Sequence, residues 1–264
     1  MTVIGNVASL WRYPVKSMRG EELEEAYLGF AGLYGDRVFA FQSATRPKGF
    51  PFLTAREQKR MLQYRPRFRH VDRAAQPSNR AEAARIAPGL NPLPADPTDM
   101  SVEVVTPAGD VLAVDDPALK RMLGEGIGGD NQLTLLRSTD RAMTDCRPIS
   151  LISLQTVAQI GEELGGTLDP RRFRANVYMN LASARGFDED ALVGRSLRLG
   201  ANVVVSVLER DPRCKMISLD PDTGESDSKV LAQVSKAHEG RAGVYCAVLV
   251  EGTLQKGDVI ELLD

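Results

Sequence analysis

Residues 196–211, SLRLGANVVVSVLERD, decide the fold. β-Branched and apolar residues crowd both sides of Gly200, a make-up that packs on a pleated surface better than in a helix. GVYCAVLVEG (243–252) and GDVIELLD (257–264) repeat it, each bounded by glycine or aspartate. Runs of this length and spacing describe a small barrel or a sandwich.

Working outward, NQLTLLRS (131–138) reads as a strand and RFRANVYMNL (172–181) returns to strand. Between them, SLQTVAQIGEELGG (153–166) has Leu154, Val157, Ile160 and Leu164 at helical spacing and a Gly-Gly stop, which predicts an amphipathic helix. VASLWRYPV (7–15), ELEEAYL (22–28) and LYGDRVFAFQ (33–42) make the opening third β-rich. Thr54 and Glu57 have capping-box spacing and predict a short helix through Leu62, with Pro66 limiting anything longer. The Ala-, Pro- and Asn-rich stretch 75–98 predicts a surface excursion with at most one short helix. MSVEVVTPAGDVLAVDD (100–116) predicts two strands about a turn, and Asp116-Pro117 a helix start that could serve as a hinge.

Of the 264 residues 43% are hydrophobic and 26% charged, with a formal net charge of −2. That balance describes a globular protein with a sizeable core and disfavours a nucleic-acid partner, so any anion site must be local. No segment approaches the roughly 20 apolar residues of a membrane span. The three cysteines, Cys146, Cys214 and Cys246, form neither a disulfide framework nor a zinc pattern, which points to a reducing, cytoplasmic setting.

GEGIGG (124–129) satisfies G-x-G-x-x-G, but a helix precedes it and a strand follows, the inverse of a dinucleotide site, so it reads as a glycine loop. Two histidines, His70 and His238, give little material for a metal site or a triad. Cys246, inside an apolar strand, reads as a small core residue. Cys146, ahead of Arg147-Pro148 at the start of a new segment, fits core, pocket lining or neither. Cys214 stands between Arg213 and Lys215 beside the turn formers DPDTG. Either those charges face solvent from a strand, or they favour the thiolate that attacks electrophiles and ligates metals. Lys16, Arg37 and Arg174 stand at element ends; each alone reads as a solvated charge, and together they have the donors that a phosphate requires.

YPVKS (13–17), YGDR (34–37), LTARE (53–57), RFRAN (172–176), PRC (212–214) with the LDPDTGE that follows, and GTLQKGDVIELL (252–263) together resemble the MOSC family, in particular its members with a MOSC N-terminal domain, a group that includes the amidoxime-reducing components. The resemblance covers nearly the whole chain, with FRAN in place of the family's FRPN and 75–98 matched least. It implies a fold that is mainly β with peripheral helices (α+β): a β-rich N-terminal domain over 1–120 and a MOSC β-barrel domain over 121–264, with the site between them. It implies the molybdenum cofactor, molybdopterin with Mo, held by the Cys214 thiolate as metal ligand and catalytic residue. The cofactor grip falls on Lys16, Ser17, Arg37, Arg174, Asn176, Arg213 and Tyr245.

The reaction so implied is reduction of an N-hydroxylated substrate. Without a cysteine-rich cluster after VIELLD, electrons are expected from a separate ferredoxin-, flavodoxin- or cytochrome-type protein. Neither a membrane anchor nor a nucleic-acid partner is expected. The same resemblance admits another role, in which Cys214 carries a persulfide or hands on the cofactor without turnover.

Overall fold

The computed structural model describes residues 1–263 apart from 45, 48, 87–97, 128–131 and 184. The chain runs β1 (Thr2–Arg12), β2 (Glu21–Leu23), β3 (Glu25–Gly29), β4 (Gly32–Leu33), β5 (Phe39–Ser43) and β6 (Arg65–Phe68) before the first helix, α1 (Arg80–Ile86). It continues through β7 (Val102–Val105), β8 (Val111–Ala113), α2 (Pro117–Gly124), β9 (Leu133–Arg137), β10 (Ile149–Ser153) and α3 (Leu154–Glu163). Then follow β11 (Val177–Leu181), β12 (Ser196–Leu199), β13 (Val203–Pro212), α4 (Ser228–Ala237), β14 (Arg241–Val250), β15 (Gly252–Gln255) and β16 (Val259–Leu263).

Seven strands close into a barrel in the order β11-β10-β14-β13-β12-β16-β1, and β1 pairs back onto β11 to complete the ring. The alternation in the sequence sets which side chains fill it. Val203, Val205 and Val207 of β13 face inward with Leu197 and Leu199 of β12, Val244 and Cys246 of β14, and Val7 and Leu10 of β1. Two-residue periodicity therefore points Ser150 and Tyr245, neighbours of inward residues on β10 and β14, out of the barrel. β10 is buried on both faces, because Ile149 and Leu151 enter the barrel while Ile152 packs under α3 and α4 with Val157, Ile160, Val230 and Val234. The parallel pair β10–β11 needs a crossover connection, and α3 supplies it.

A second core, with Phe39, Phe41, Met61, Phe68, Met100, Leu119 and Leu123 at 0–4% exposure, joins the β5–β9 ladder, the β6-β7-β8 sheet and α2. The boundary expected at residues 120/121 is crossed in both directions: β1 closes the barrel, β15 pairs with β3, and β9 pairs with β5. The long-range pairing of β1 is invisible to local pattern.

Only half of the expected capping box forms: Thr54 N donates to Glu57 Oε2 at 3.1 Å, but Thr54 Oγ1 accepts from Arg56 N at 3.3 Å and not from Glu57 N, and the segment closes a turn and not a helix. Gln58 at φ −115°, ψ 80° interrupts, and a 3₁₀ turn, Lys59–Gln63, follows. The helix expected from Asp116-Pro117 is α2, its Asp116 carboxylate accepting from Ala118 N at 2.7 Å. α1 lies in the expected excursion, whose residues 87–97 are outside the described set, as are the last two glycines of GEGIGG. α4 carries no expectation from the sequence, although Asp227 caps it and Val230 and Val234 sit one turn apart on its buried side.

Candidate functional site

The turn after β1, the loop before β5 and the segment between β9 and β10 meet the outer wall of the barrel around one cavity of about 330 Å³, within the range of small-molecule sites. Lys16, Ser17, Arg37, Arg174, Asn176, Arg213, Cys214 and Tyr245 all line it. Residues from positions 16 to 245 thus converge on one place.

Backbone strain converges there as well. Five described non-glycine residues have positive φ, and Ser17 (67°), Arg37 (47°) and Arg174 (52°) are among them. Left-handed conformations cost about 1–3 kcal/mol each when the side chain is not glycine, and persist where surrounding structure enforces them. Here the enforcement is visible. Arg37 N donates to Tyr13 O at 2.7 Å and its Nη2 to Arg174 O at 3.0 Å, while Tyr13 N donates to the buried Asp36 at 2.8 Å.

The Tyr13 ring lies under both guanidinium groups, 4.6 Å from that of Arg37 and 4.2 Å from that of Arg174. Arg37 is also ion-paired with Asp36. Arg174 differs: among the described residues no carboxylate lies within ion-pair distance, and its Nη2 is buried without a hydrogen-bond partner. Burial, reinforced by the like charge of Arg37, brings its pKa down to about 10. A buried cation without a counter-charge is an anion site in waiting.

Lys16 donates to Met143 O at 2.8 Å, is ion-paired with Asp145, and lies 4.8 Å from the Phe52 ring centre. Burial lowers its pKa in spite of Asp145, whereas the half-exposed Asp145 carboxyl is held below its ordinary range by Lys16, against its own burial. The pair thus does not repay the desolvation of the lysine, and a stronger anion has room to compete for it. Arg213 donates through Nε to Ala242 O at 2.7 Å and through Nη1 to Phe173 O at 2.9 Å, with Nη2 2.9 Å from Asp211. Asp211 also accepts from Ser150 Oγ at 2.7 Å and bonds with Tyr245, and burial raises the pKa of both. Asn176 braces the wall, Oδ1 accepting from Ser150 N at 3.3 Å and Nδ2 donating to Trp11 O at 3.3 Å.

Cys214, half-buried, opens the 3₁₀ turn Lys215–Ser218. Of its two basic neighbours, Arg213 is engaged as above and Lys215 Nζ reaches Arg56 O at 3.5 Å. Cys146, left open by its sequence context, lines the same cavity and is exposed, whereas Cys246 is buried in the barrel interior, as its apolar strand indicates. Arg56, Asp145, Arg172 and Asp211 also line the cavity and were not singled out from the sequence. Only proximity to PRC and RFRAN marked Asp211 and Arg172, because ion pairs across the chain decide their burial.

Among the described residues no group of three or more His, Cys, Asp or Glu is placed to hold a metal ion, and no helix is long and apolar enough to cross a membrane. A metal at Cys214 would therefore need to arrive with most of its ligands. Soft thiolate, buried cations and a cavity of ligand size fit a metal carried by an anionic organic cofactor.

Comparison with known proteins accords with this geometry. The family model described as MOSC N-terminal beta barrel domain matches residues 4–105, and that described as MOSC domain matches residues 138–261. The chain is 23% identical over 285 residues to mitochondrial amidoxime reducing component 2 of Bos taurus and 25% identical over 289 residues to that of Macaca fascicularis. Each alignment covers 97% of this chain and 83% of the relative. Among solved structures, the YuaD protein of Bacillus subtilis aligns with a TM-score of 0.48 at 14% identity, over 99% of this chain and 96% of that one. With both of its domain models matched in order along one polypeptide, the chain belongs to the MOSC family, among the members that carry the MOSC N-terminal barrel domain.

Proposed function

We propose that the protein binds the molybdenum cofactor in this cavity and reduces N-hydroxylated substrates with electrons from a separate protein. The observation that carries this reading is the buried Nη2 of Arg174, without a hydrogen-bond partner among the described residues, in the same cavity as the half-buried thiol of Cys214. The name of these relatives, amidoxime reducing component, supports the substrate class. When bound, the cofactor would supply the two-electron redox chemistry.

The chain's residues do the rest. Arg174, Arg37 and Lys16 hold the anionic phosphate, with Ser17 and Asn176 fixing the walls of its pocket. Arg213, anchored by two backbone carbonyls and Asp211, keeps the Pro212–Cys214 segment in place, so that the thiolate of Cys214 faces the cavity as the protein's ligand to the metal. Asp211, Ser150 and Tyr245 form a hydrogen-bonded set beside it, and burial there favours protonated side chains. For each turnover an N–OH group, two electrons and two protons become N–H and water.

The experiment is reduction of benzamidoxime by cofactor-replete protein with a chemically reduced viologen as donor. Wild type is expected to turn over and Cys214→Ser to fall to background. Cofactor-replete wild type that reduces no N-hydroxylated compound, yet carries labile sulfur on Cys214, would move the sulfur-carrier role ahead.

A further inference from the structure

Seven cationic side chains line the cavity, and among the described residues Lys16, Arg37, Arg147, Arg172 and Arg213 each have a carboxylate partner, that of Arg172 being the most distant, while Arg56 and Arg174 have none. Arg172 is the telling case. It belongs to the 3₁₀ turn Pro170–Phe173, its side chain is 13% exposed, and a single Nη2 contact to Asp220 at 3.3 Å is its only carboxylate bond among the described residues. Its Nε and Nη1 are buried with no partner. A guanidinium offers five donors in a fork suited to planar oxyanions, and donors left dry carry a desolvation penalty that a ligand oxygen removes.

Arg56 is the second underused cation. Its Nε donates to Thr54 Oγ1 at 3.1 Å, its guanidinium lies 4.8 Å from the Phe50 ring centre, and no carboxylate among the described residues is within ion-pair distance. Both arginines are tied to the segment that begins with Cys214: Lys215 reaches Arg56 O, and Asp220, which holds Arg172, follows Leu219 at the end of that turn. Arg37 and Arg174 form a separate group, joined through the Tyr13 ring.

Building on the reductase reading above, we propose that Arg172, assisted by Arg56, determines specificity for an N-hydroxylated substrate that carries an anionic group, a carboxylate or phosphate, beside the Cys214 turn. A neutral substrate would leave the Nε and Nη1 of Arg172 unsatisfied. An anionic one pairs them.

The test compares benzamidoxime with para-carboxybenzamidoxime on cofactor-replete wild type, Arg172→Met and Arg172→Lys, with molybdenum and pterin measured on the same samples. In Arg172→Met the KM for the carboxylate-bearing substrate is expected to rise about 10-fold or more relative to that for benzamidoxime, with pterin retained, and Arg172→Lys to recover part of the loss. Asp220→Asn, which removes the ion pair and keeps the guanidinium, is expected to retain the discrimination. An equal rise for both substrates would mean a structural role and overturn the proposal. Pterin loss in Arg172→Met would assign the contact to the cofactor's own phosphate and overturn it equally. A thermal-shift titration with para-amidinobenzoate against benzamidine reads the anion contact without turnover. Stabilisation of wild type by the carboxylate alone, lost in Arg172→Met, supports the subsite even where the reductase reading fails; no difference between the two probes refutes it.

Discussion

Replacing Arg174 by methionine keeps most of the apolar stem and removes the charge. Among the described residues the Arg174 guanidinium has no carboxylate partner, and burial with Arg37 nearby lowers its pKa from 12.5 to about 10. A group lowered in this way is charged in both folded and unfolded chains at neutral pH, so the folded state bears the penalty until the pH passes about 10. The shift corresponds to about 3 kcal/mol. Losing the stacking on Tyr13 at 4.2 Å returns about 1–2 kcal/mol of that. Arg174→Met is therefore expected to stabilise the anion-free protein by about 1–2 kcal/mol, a Tm rise of about 3–6 °C, in calorimetry without phosphate. Inorganic phosphate should then raise the Tm of wild type by more than that of the variant, in which Arg37 and Lys16 remain. A variant that melts lower in anion-free buffer would refute the reasoning, because it would show that Arg174 is a satisfied structural residue.

Asp145→Asn strands the buried Lys16 with only Met143 O as partner, and a loss of about 1–2 kcal/mol in denaturant unfolding is expected, discounted for the exposure of Asp145. The wild-type carboxylate should stabilise the protein above the ordinary aspartate range and lose that contribution as acid titrates its lowered pKa, so the variant's deficit should vanish at low pH. Iodoacetamide should modify the exposed Cys146 and the half-buried Cys214 in native protein and reach Cys246, whose thiol burial pushes up, only after denaturation; peptide mass spectrometry reads all three. Gly243→Ala places a Cβ 2.6 Å from Leu151 O at a φ of +76°, next to Arg213 Nη2, and should cost at least about 2 kcal/mol and weaken phosphate binding together.

How much of this was legible in the sequence differs from element to element. β12, β13, β14 and β16 announce themselves, because β-branched runs between glycines carry the strand signal locally, and α3 does so by its apolar spacing and Gly-Gly stop. For β1 the strand is legible over 7–15 but its place in the barrel is not: Gly5 pairs with Leu181 of β11 and Asn6 with Val259 of β16, and no local pattern encodes pairings that distant in sequence. α4 carries no expectation because its ten residues bury only Val230 and Val234, too few to set a clear helical period. In the site, Cys214, Arg37 and Arg174 could be marked by residue type and resemblance, since thiol and guanidinium have few alternatives in chemistry. Arg172 opens the RFRAN stretch but carries no expected role, because two adjacent arginines look solvated until Asp220 and the cavity wall bury one of them. Asp145 became visible only once Lys16 had been placed beside it.

The central claim is that this cavity holds a molybdenum-bearing pterin through Cys214. Molybdenum and pterin should be quantified on protein freshly purified from cells replete with the cofactor, wild type beside Cys214→Ser. Near-stoichiometric molybdenum and pterin in wild type, with molybdenum lost from the variant, is the predicted result. Wild-type protein from such cells that carries neither metal nor pterin would contradict it.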